Sequence, residues 1–277
     1  MPHARHLVWF LLPAAALLVV ALLLPLCATL WISLKPNVLV QFDGPGAANY
    51  KYLLGKAYYI DVIWRTVRLA GEATVVALAI GYPAALTMRG LSERAAGTLA
   101  LGMTLPVLAG PLVVVLGWMI LLSDGGPLFQ PLRQWGLPRP GLLGSEAGIL
   151  VGMTHFLLPF VVLSLASVLR AIPDPLIEAA RSLGASPWQR FTAVILPLSL
   201  PGVLSAVLIA FSLATGAYIT PHYLGGVADL TLTMLVTQFV LATFNAELAA
   251  AASMVLLLLV AIATFALAFT LSRWTRG

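Results

Sequence analysis

From Leu7 to Leu34 the chain runs for 28 residues without a charged side chain. About 20 apolar residues in a helix cross the hydrocarbon of a bilayer, and inside lipid only a helix or a closed barrel satisfies its own backbone N–H and C=O groups. Further apolar runs lie in Thr66–Met88, Ala95–Ser123, Ala147–Leu169, Phe191–Pro221 and Leu248–Ser272. The pattern predicts an all-α polytopic membrane protein, a single transmembrane domain over residues 1–277 with six spans at about 7–34, 66–88, 98–122, 147–169, 193–216 and 248–272. Composition agrees, since 61% of residues are hydrophobic and 9% charged, whereas a soluble domain carries roughly 25% charged residues. A secretory leader has a shorter apolar core and a small-residue cleavage site, so the first run reads as a crossing.

An even number of crossings returns the C-terminus to the side of the N-terminus, and basic residues say which side that is. Loops 1–6, 89–97, 170–192 and 273–277 hold eight arginines in 43 positions, whereas loops 35–65, 123–146 and 217–247 hold six basic residues in 86. The first set is about 2.7 times denser, which places it and both termini in the cytoplasm by the positive-inside rule. The sequence pI near 9.7 therefore reflects membrane orientation. The basic residues form no stripe of the kind nucleic acid requires. Gly81 and Pro83 are expected to bend the second span, and Pro106 and Pro111 to kink the third. Residues 230–246 are also uncharged, but Leu232, Leu235, Val236, Phe239 and Val240 keep helical spacing among threonines. An amphipathic helix outside the membrane fits that segment better than a seventh span. In the loop 123–146, Leu128, Phe129, Leu132 and Trp135 share a face opposite Gln130 and Arg133, as in a segment lying flat on a membrane or on a neighbouring protein.

The polar island Ile172–Gly202 interrupts the apolar pattern. Asp174 can cap a helix that begins at Pro175, where a missing N–H costs nothing, and Leu176, Ala180 and Leu183 fall on one face of it. Gly184 ends that helix, because glycine enters the left-handed conformation of a C-terminal cap without steric cost. Ser186, Pro187 and Gln189 start a second helix with a capping box, and Pro197 and Pro201 limit how it continues. The result is a helix-turn-helix at about residues 172–192, exposed on the cytoplasmic side.

Glu178-Ala179-Ala180, then Gly184 after three residues and Val194-Ile195-Leu196-Pro197 after nine more, resemble the EAA loop of permeases in binding-protein-dependent ABC importers. Val194 is the one departure, at a position where the family usually has isoleucine. Outside the loop, Asn49–Leu54 (NYKYLL), Ile80–Leu86 (IGYPAAL), His155–Leu163 (HFLLPFVVL) and Thr215–Gly226 (TGAYITPHYLGG) are similar to the spermidine/putrescine branch. The resemblance implies a bacterial-type inner-membrane permease that works with a second permease, two cytoplasmic ABC ATPase subunits and an extracytoplasmic solute-binding protein. It implies that Asp174, Glu178, Ala179, Ala180, Leu183, Gly184 and Ala185 form the ATPase-coupling surface, with Glu178 against a basic residue of the ATPase. ATP and Mg would be bound by that partner and not by this chain. A polyamine-like cation is the favoured solute; aminophosphonates, iron and opine-like compounds are carried by related systems and stay open.

The chain itself carries no sign of catalysis. Gly55-Lys56 lacks the glycine of a phosphate loop at Tyr50 and its hydroxyl at Ala57. Cys27 is the sole cysteine, and His3, His6, His155 and His222 have no carboxylate or cysteine at ligand spacing. His155 reads as a hydrogen-bonded packing residue. Arg68 and Glu72, four apart on one helical face, can neutralise each other, or Glu72 can face the pathway and attract a cation. Glu72, Tyr218, Tyr223 and Asp229 are the candidates for the solute path. A proton-coupled secondary transporter is the alternative; it calls for acidic or histidine relays deep in several spans, and only Glu72 and His155 qualify.

Overall fold

The computed structural model describes residues 3–36, 47–136 and 141–274, and every regular element among them is a helix. Arg139 and Arg276 of the charge tally and the side chains of Leu132 and Arg133 lie outside the described residues. Five helices are long and apolar enough to cross a membrane, and a sixth span results if the bent pair at 93–122 counts as one. Contacts divide the chain into two units, residues 1–61 with 235–258 and residues 62–234 with 259–277.

In the first unit, α1 (His3–Ser33) is followed by α2 (Ala48–Gly55). The last carbonyls of a helix have no partner within it, and Asn49 supplies one from a distance. Its buried amide donates to the carbonyls of Ser33 at 2.8 Å and Lys35 at 2.9 Å, while Ser33 Oγ and Tyr50 Oη lie 2.7 Å apart. The NYKYLL segment therefore fastens the end of α1. The Lys56 ammonium stands 3.9 Å from the centroid of the Tyr52 ring, and hydrogen bonding of the Tyr52 phenol by Lys56, and then by Tyr59, holds it below the usual value. Asn245 caps the start of α13 (Ala246–Trp274) by accepting from Leu248 N at 2.9 Å. Between these lies α12 (Leu232–Leu241), only 10 residues long. At 1.5 Å per residue it reaches about 15 Å, half a bilayer core, so it does not cross alone.

The core of the second unit is built on α3 (Ala57–Arg89), α7 (Glu146–Ala171) and α10 (Leu196–Thr215). Lipid gives helices no hydrophobic reason to associate, so close packing of small side chains does that work. On α3, Ala70, Ala73, Ala77 and Ala85 are fully buried, and on α10, Ala206 and Ala210 are too. Gly81 is used for close approach: a β-carbon there would stand 2.7 Å from Val161 Cγ1 of α7. Gly202 of α10 meets α7 in the same way, with Val168 Cβ at 2.9 Å from the position a methyl would take. Beside Gly81, Tyr82 Oη lies 2.7 Å from Ser199 Oγ, so the IGYPAAL segment ties α3 to both α7 and α10. Helix α3 runs without a break through Pro83.

The third expected span departs from a straight crossing. Helices α4 (Glu93–Ala109) and α5 (Pro111–Leu122) meet at 95°, which makes this a broken span or a re-entrant loop. Pro106 sits inside α4, whereas the break falls at Gly110, whose φ of +85° only glycine adopts freely, followed by Pro111, which has no N–H to continue the ladder. In the loop 123–146, α6 (Gln130–Gln134) is a single turn; Phe129 is buried while Leu128 and Trp135 are exposed, so the expected apolar face is split.

Candidate functional site: the Asp174–Arg190 bend and the charged end of α3

Helix α8 (Asp174–Ser182) has no buried residue. Its inward contact is Ile177, which packs against the core, while the face expected from periodicity points outward, with Leu176 47% and Leu183 89% exposed. Ala185 N–H donates to Ala180 O at 3.1 Å and Gly184 N–H to Arg181 O at 3.0 Å. This is a Schellman cap, with Gly184 at φ +83° in the left-handed position. Ser186 then opens α9 (Pro187–Arg190) with both bonds of a capping box: Gln189 N–H donates to Ser186 Oγ at 3.2 Å, and Ser186 N–H to Gln189 Oε1 at 2.8 Å.

One expectation about this loop changes. Asp174 does not cap α8; the cap position is Pro173, and the Asp174 carboxylate accepts from Arg89 Nη2 at 2.5 Å. Arg89 also donates to Ile172 O at 3.0 Å, so the end of α3 braces the start of the bend, while Arg170 donates to Leu91 O at 3.0 Å and ties the end of α7 to the turn after α3. Pro197 and Pro201 lie inside α10, and the chain passes from α9 into α10 through a change of helix type. Phe191–Ile195 forms a π turn between α9 and α10, with Leu196 N–H on Phe191 O. Pro197 and Pro201 cannot donate ladder bonds, and a widened turn is a common way of absorbing such losses. Trp188, 70% exposed, packs tilted against Phe191 with ring centroids 5.6 Å apart, and the Phe191 ring meets Tyr82 edge-on at 5.8 Å. An apolar surface patch thus leads into the helix core.

Arg65 and Arg68, 24 and 21 residues before Arg89 and so about 30–36 Å from it along α3, converge on Glu146, the first residue of α7. Arg68 Nη2 lies 2.5 Å from Glu146 Oε1, Arg65 Nε lies 3.4 Å from the same oxygen, and Arg68 Nη1 reaches Glu72 at only 3.4 Å. Arg65 Nη1 also donates to Ala228 O. The expected Arg68–Glu72 pair exists, but Glu146 holds the shorter bond.

The other solute-path candidates occupy the segment after α10. In α11 (Ile219–Leu224), Leu224 is buried and its carbonyl accepts from Gly144 N–H at 2.9 Å. Asp229 Oδ2 accepts from Gly226 N–H at 2.8 Å, so one of its oxygens closes a turn. Tyr218 stacks on His222 at 5.0 Å, and Tyr223, 37% exposed, meets His222 edge-on at 4.9 Å. Tyr218 lines a cavity of about 410 Å³ with Pro111, Phe156, Leu213 and Thr220. Glu72 is not among its walls. His155 departs from its expectation: Nδ1 is buried without a hydrogen bond, and the ring packs edge-on to Trp118 at 5.6 Å. It lines a separate cavity of about 390 Å³ with Ile80, Leu99, Met103 and Val162. Among the described residues no three His, Cys, Asp or Glu side chains converge as metal ligands would.

Arg65, Arg89 and Glu146 were not singled out from sequence. Arg89 meets a partner 85 residues away and Arg68 one 78 away, and local periodicity carries no signal for such pairs.

Comparison with known proteins agrees with this architecture. Residues 77–277 match the family described as binding-protein-dependent transport system inner membrane component. The spermidine/putrescine transport system permease protein PotB of Haemophilus influenzae is 32% identical over 219 residues, covering 78% of this chain and 76% of that one. PotB of Escherichia coli is 32% identical over 184 residues, 66% of each chain. A chain of a bacterial alginate ABC transporter, solved in complex with a pentasaccharide-bound periplasmic protein, shares the fold with a TM-score of 0.81 at 16% identity, over 99% of this chain and 97% of that one. The chain therefore belongs to the binding-protein-dependent transport system inner membrane component family and is a multi-pass ABC-importer permease subunit of the inner membrane.

Proposed function

We propose that this permease takes its driving force through the Asp174–Arg190 bend and carries a polyamine-like cation. The observation that carries the first part is the bend between α8 and α9, closed by a Schellman cap on one side and a capping box on the other, which offers Leu176, Leu183 and Trp188 to solvent. An exposed apolar face braced at its start by Arg89 suits a docking surface for an ATPase subunit. Glu178 lies in the middle of α8 on its exposed side, available to a basic residue of that subunit. Ala179 and Ala180 keep the helix slim, and Ala185 follows the bend. Two such ATPase subunits bind ATP and Mg, a second permease completes the path, and an extracytoplasmic solute-binding protein delivers the solute. The basic loops and both termini face the cytoplasm. ATP-driven closure of the ATPases moves the bend, and the π turn passes that motion to α10, giving alternating access by rigid-body displacement.

The solute reading rests on the two relatives named as spermidine/putrescine permeases and on Glu72, Tyr218, Tyr223 and Asp229. An ammonium entering low-dielectric surroundings needs carboxylate or aromatic faces in place of water. Coupling is tested by co-purification of the ATPase with Glu178→Ala and Gly184→Asp. We expect partial loss with the first and a larger loss with the second, whose carboxylate puts a charge beside the exposed apolar side chains of the bend, while both variants stay in the membrane; wild-type recovery of the ATPase with Gly184→Asp removes the bend from the mechanism. The solute is tested by uptake of labelled spermidine in the assembled complex.

A further inference from the structure

We propose that Glu146 is a positioning residue for the solute path: it holds Arg68 away from Glu72 and so leaves the Glu72 carboxylate open to an ammonium group. The inference rests on the reading of Glu72 as a path residue. Four charges meet at this end of α3, two arginines and two glutamates, with no net charge among them. They are not equally shared. Glu146 Oε1 takes Arg68 at 2.5 Å and Arg65 at 3.4 Å, whereas Glu72 has a single contact, at 3.4 Å, with a guanidinium already committed elsewhere. Of the two carboxylates Glu72 is also the more exposed, 40% against 32%.

The geometry follows from placement. Glu146 is the first residue of α7, where the positive end of the helix dipole favours a carboxylate, and the Ser145 cap, accepting from Gly148 N–H at 3.4 Å, fixes that end. Arg65 is kept in place by Ala228 O as well as by Glu146. Glu146 is thus a preorganised acceptor that outcompetes the i,i+4 partner for Arg68. A cationic solute that takes Glu72 then gives up one long contact and leaves no arginine unpaired. Without the Glu146 charge, Arg68 turns fully to Glu72 and the solute must displace a complete ion pair.

The test is labelled-spermidine uptake by the assembled complex in proteoliposomes, with KM and maximal rate measured separately. Glu146→Gln raises KM by about two- to fivefold, the range of a partly exposed ion pair, with maximal rate retained. Arg68→Gln leaves KM at or below wild type, and the Arg68→Gln/Glu146→Gln double variant returns KM to within about twofold of wild type. A structural brace gives the opposite pattern, because the double variant is then at least as impaired as Glu146→Gln. Should Glu146→Gln fail to reach the membrane, a raised KM in Arg68→Gln alone overturns the proposal. Unchanged KM in Glu72→Gln removes Glu72 from the path and with it the underlying reading. Raised KM in Glu72→Gln with unchanged KM in Glu146→Gln sinks the positioning role alone.

Discussion

Replacing Gly184 separates two explanations of the bend, because backbone and space make different demands there. Its φ is +83°, yet a β-carbon built on it meets nothing within 4 Å. Added bulk is therefore free, and the cost is conformational. A residue with a β-carbon in the left-handed region costs roughly 1–2 kcal/mol, least for asparagine and aspartate and most for β-branched residues. One or two kcal/mol is a factor of about 5–30 in the population of the correctly bent loop. If ATPase docking needs that conformation, affinity falls in the order Gly184→Asn, Gly184→Ala, Gly184→Val, with alanine down by about 5–30-fold. If docking is instead limited by crowding at the interface, alanine is the best tolerated because it is the smallest. The assay is titration of the purified ATPase subunit onto permease in lipid nanodiscs, with thermal unfolding as a control. Alanine binding better than asparagine, or all variants binding as wild type, refutes the conformational argument.

Other consequences follow from the same contacts. Ser186→Ala removes half of the capping box and lowers stability by about 0.5–2 kcal/mol in thermal unfolding. Gly81→Ala puts a methyl 2.7 Å from Val161 Cγ1 and costs about 1–3 kcal/mol; Val161→Ala in the same chain recovers most of the loss, and no recovery contradicts the close approach. Asp174→Asn costs under about 1 kcal/mol because that carboxylate is 80% exposed. Arg89→Ala costs about 1–3 kcal/mol because it also strips the Ile172 carbonyl of its donor. Equal losses in these two variants contradict that division.

The helices and both caps of the bend were legible from sequence because they depend on local chemistry. Gly184, Ser186 and Gln189 act on neighbours within five residues, and the structure uses each as its residue type dictates. Asp174 was misread for a complementary reason. Its residue type suits a cap, but Arg89, distant in sequence, offers a charged partner that a cap bond cannot match. The break at Gly110 was legible as a proline signal but not as a 95° turn, since proline says where the ladder fails and the angle depends on what each half packs against. His155 shows the same limit: a residue type that usually finds a partner lies beside Trp118 with one nitrogen unpaired. The ranking of Glu146 over Glu72 for Arg68 needed three-dimensional placement.

Energy source is the most direct test of the account. With the permease, its partner permease, the ATPase and the solute-binding protein reconstituted together, labelled spermidine uptake is measured with ATP available to the ATPase face or with an imposed proton gradient alone. The account predicts uptake that requires ATP, survives an uncoupler and falls with Gly184→Asp. Uptake driven by the proton gradient without ATP, and collapsed by the uncoupler, contradicts it.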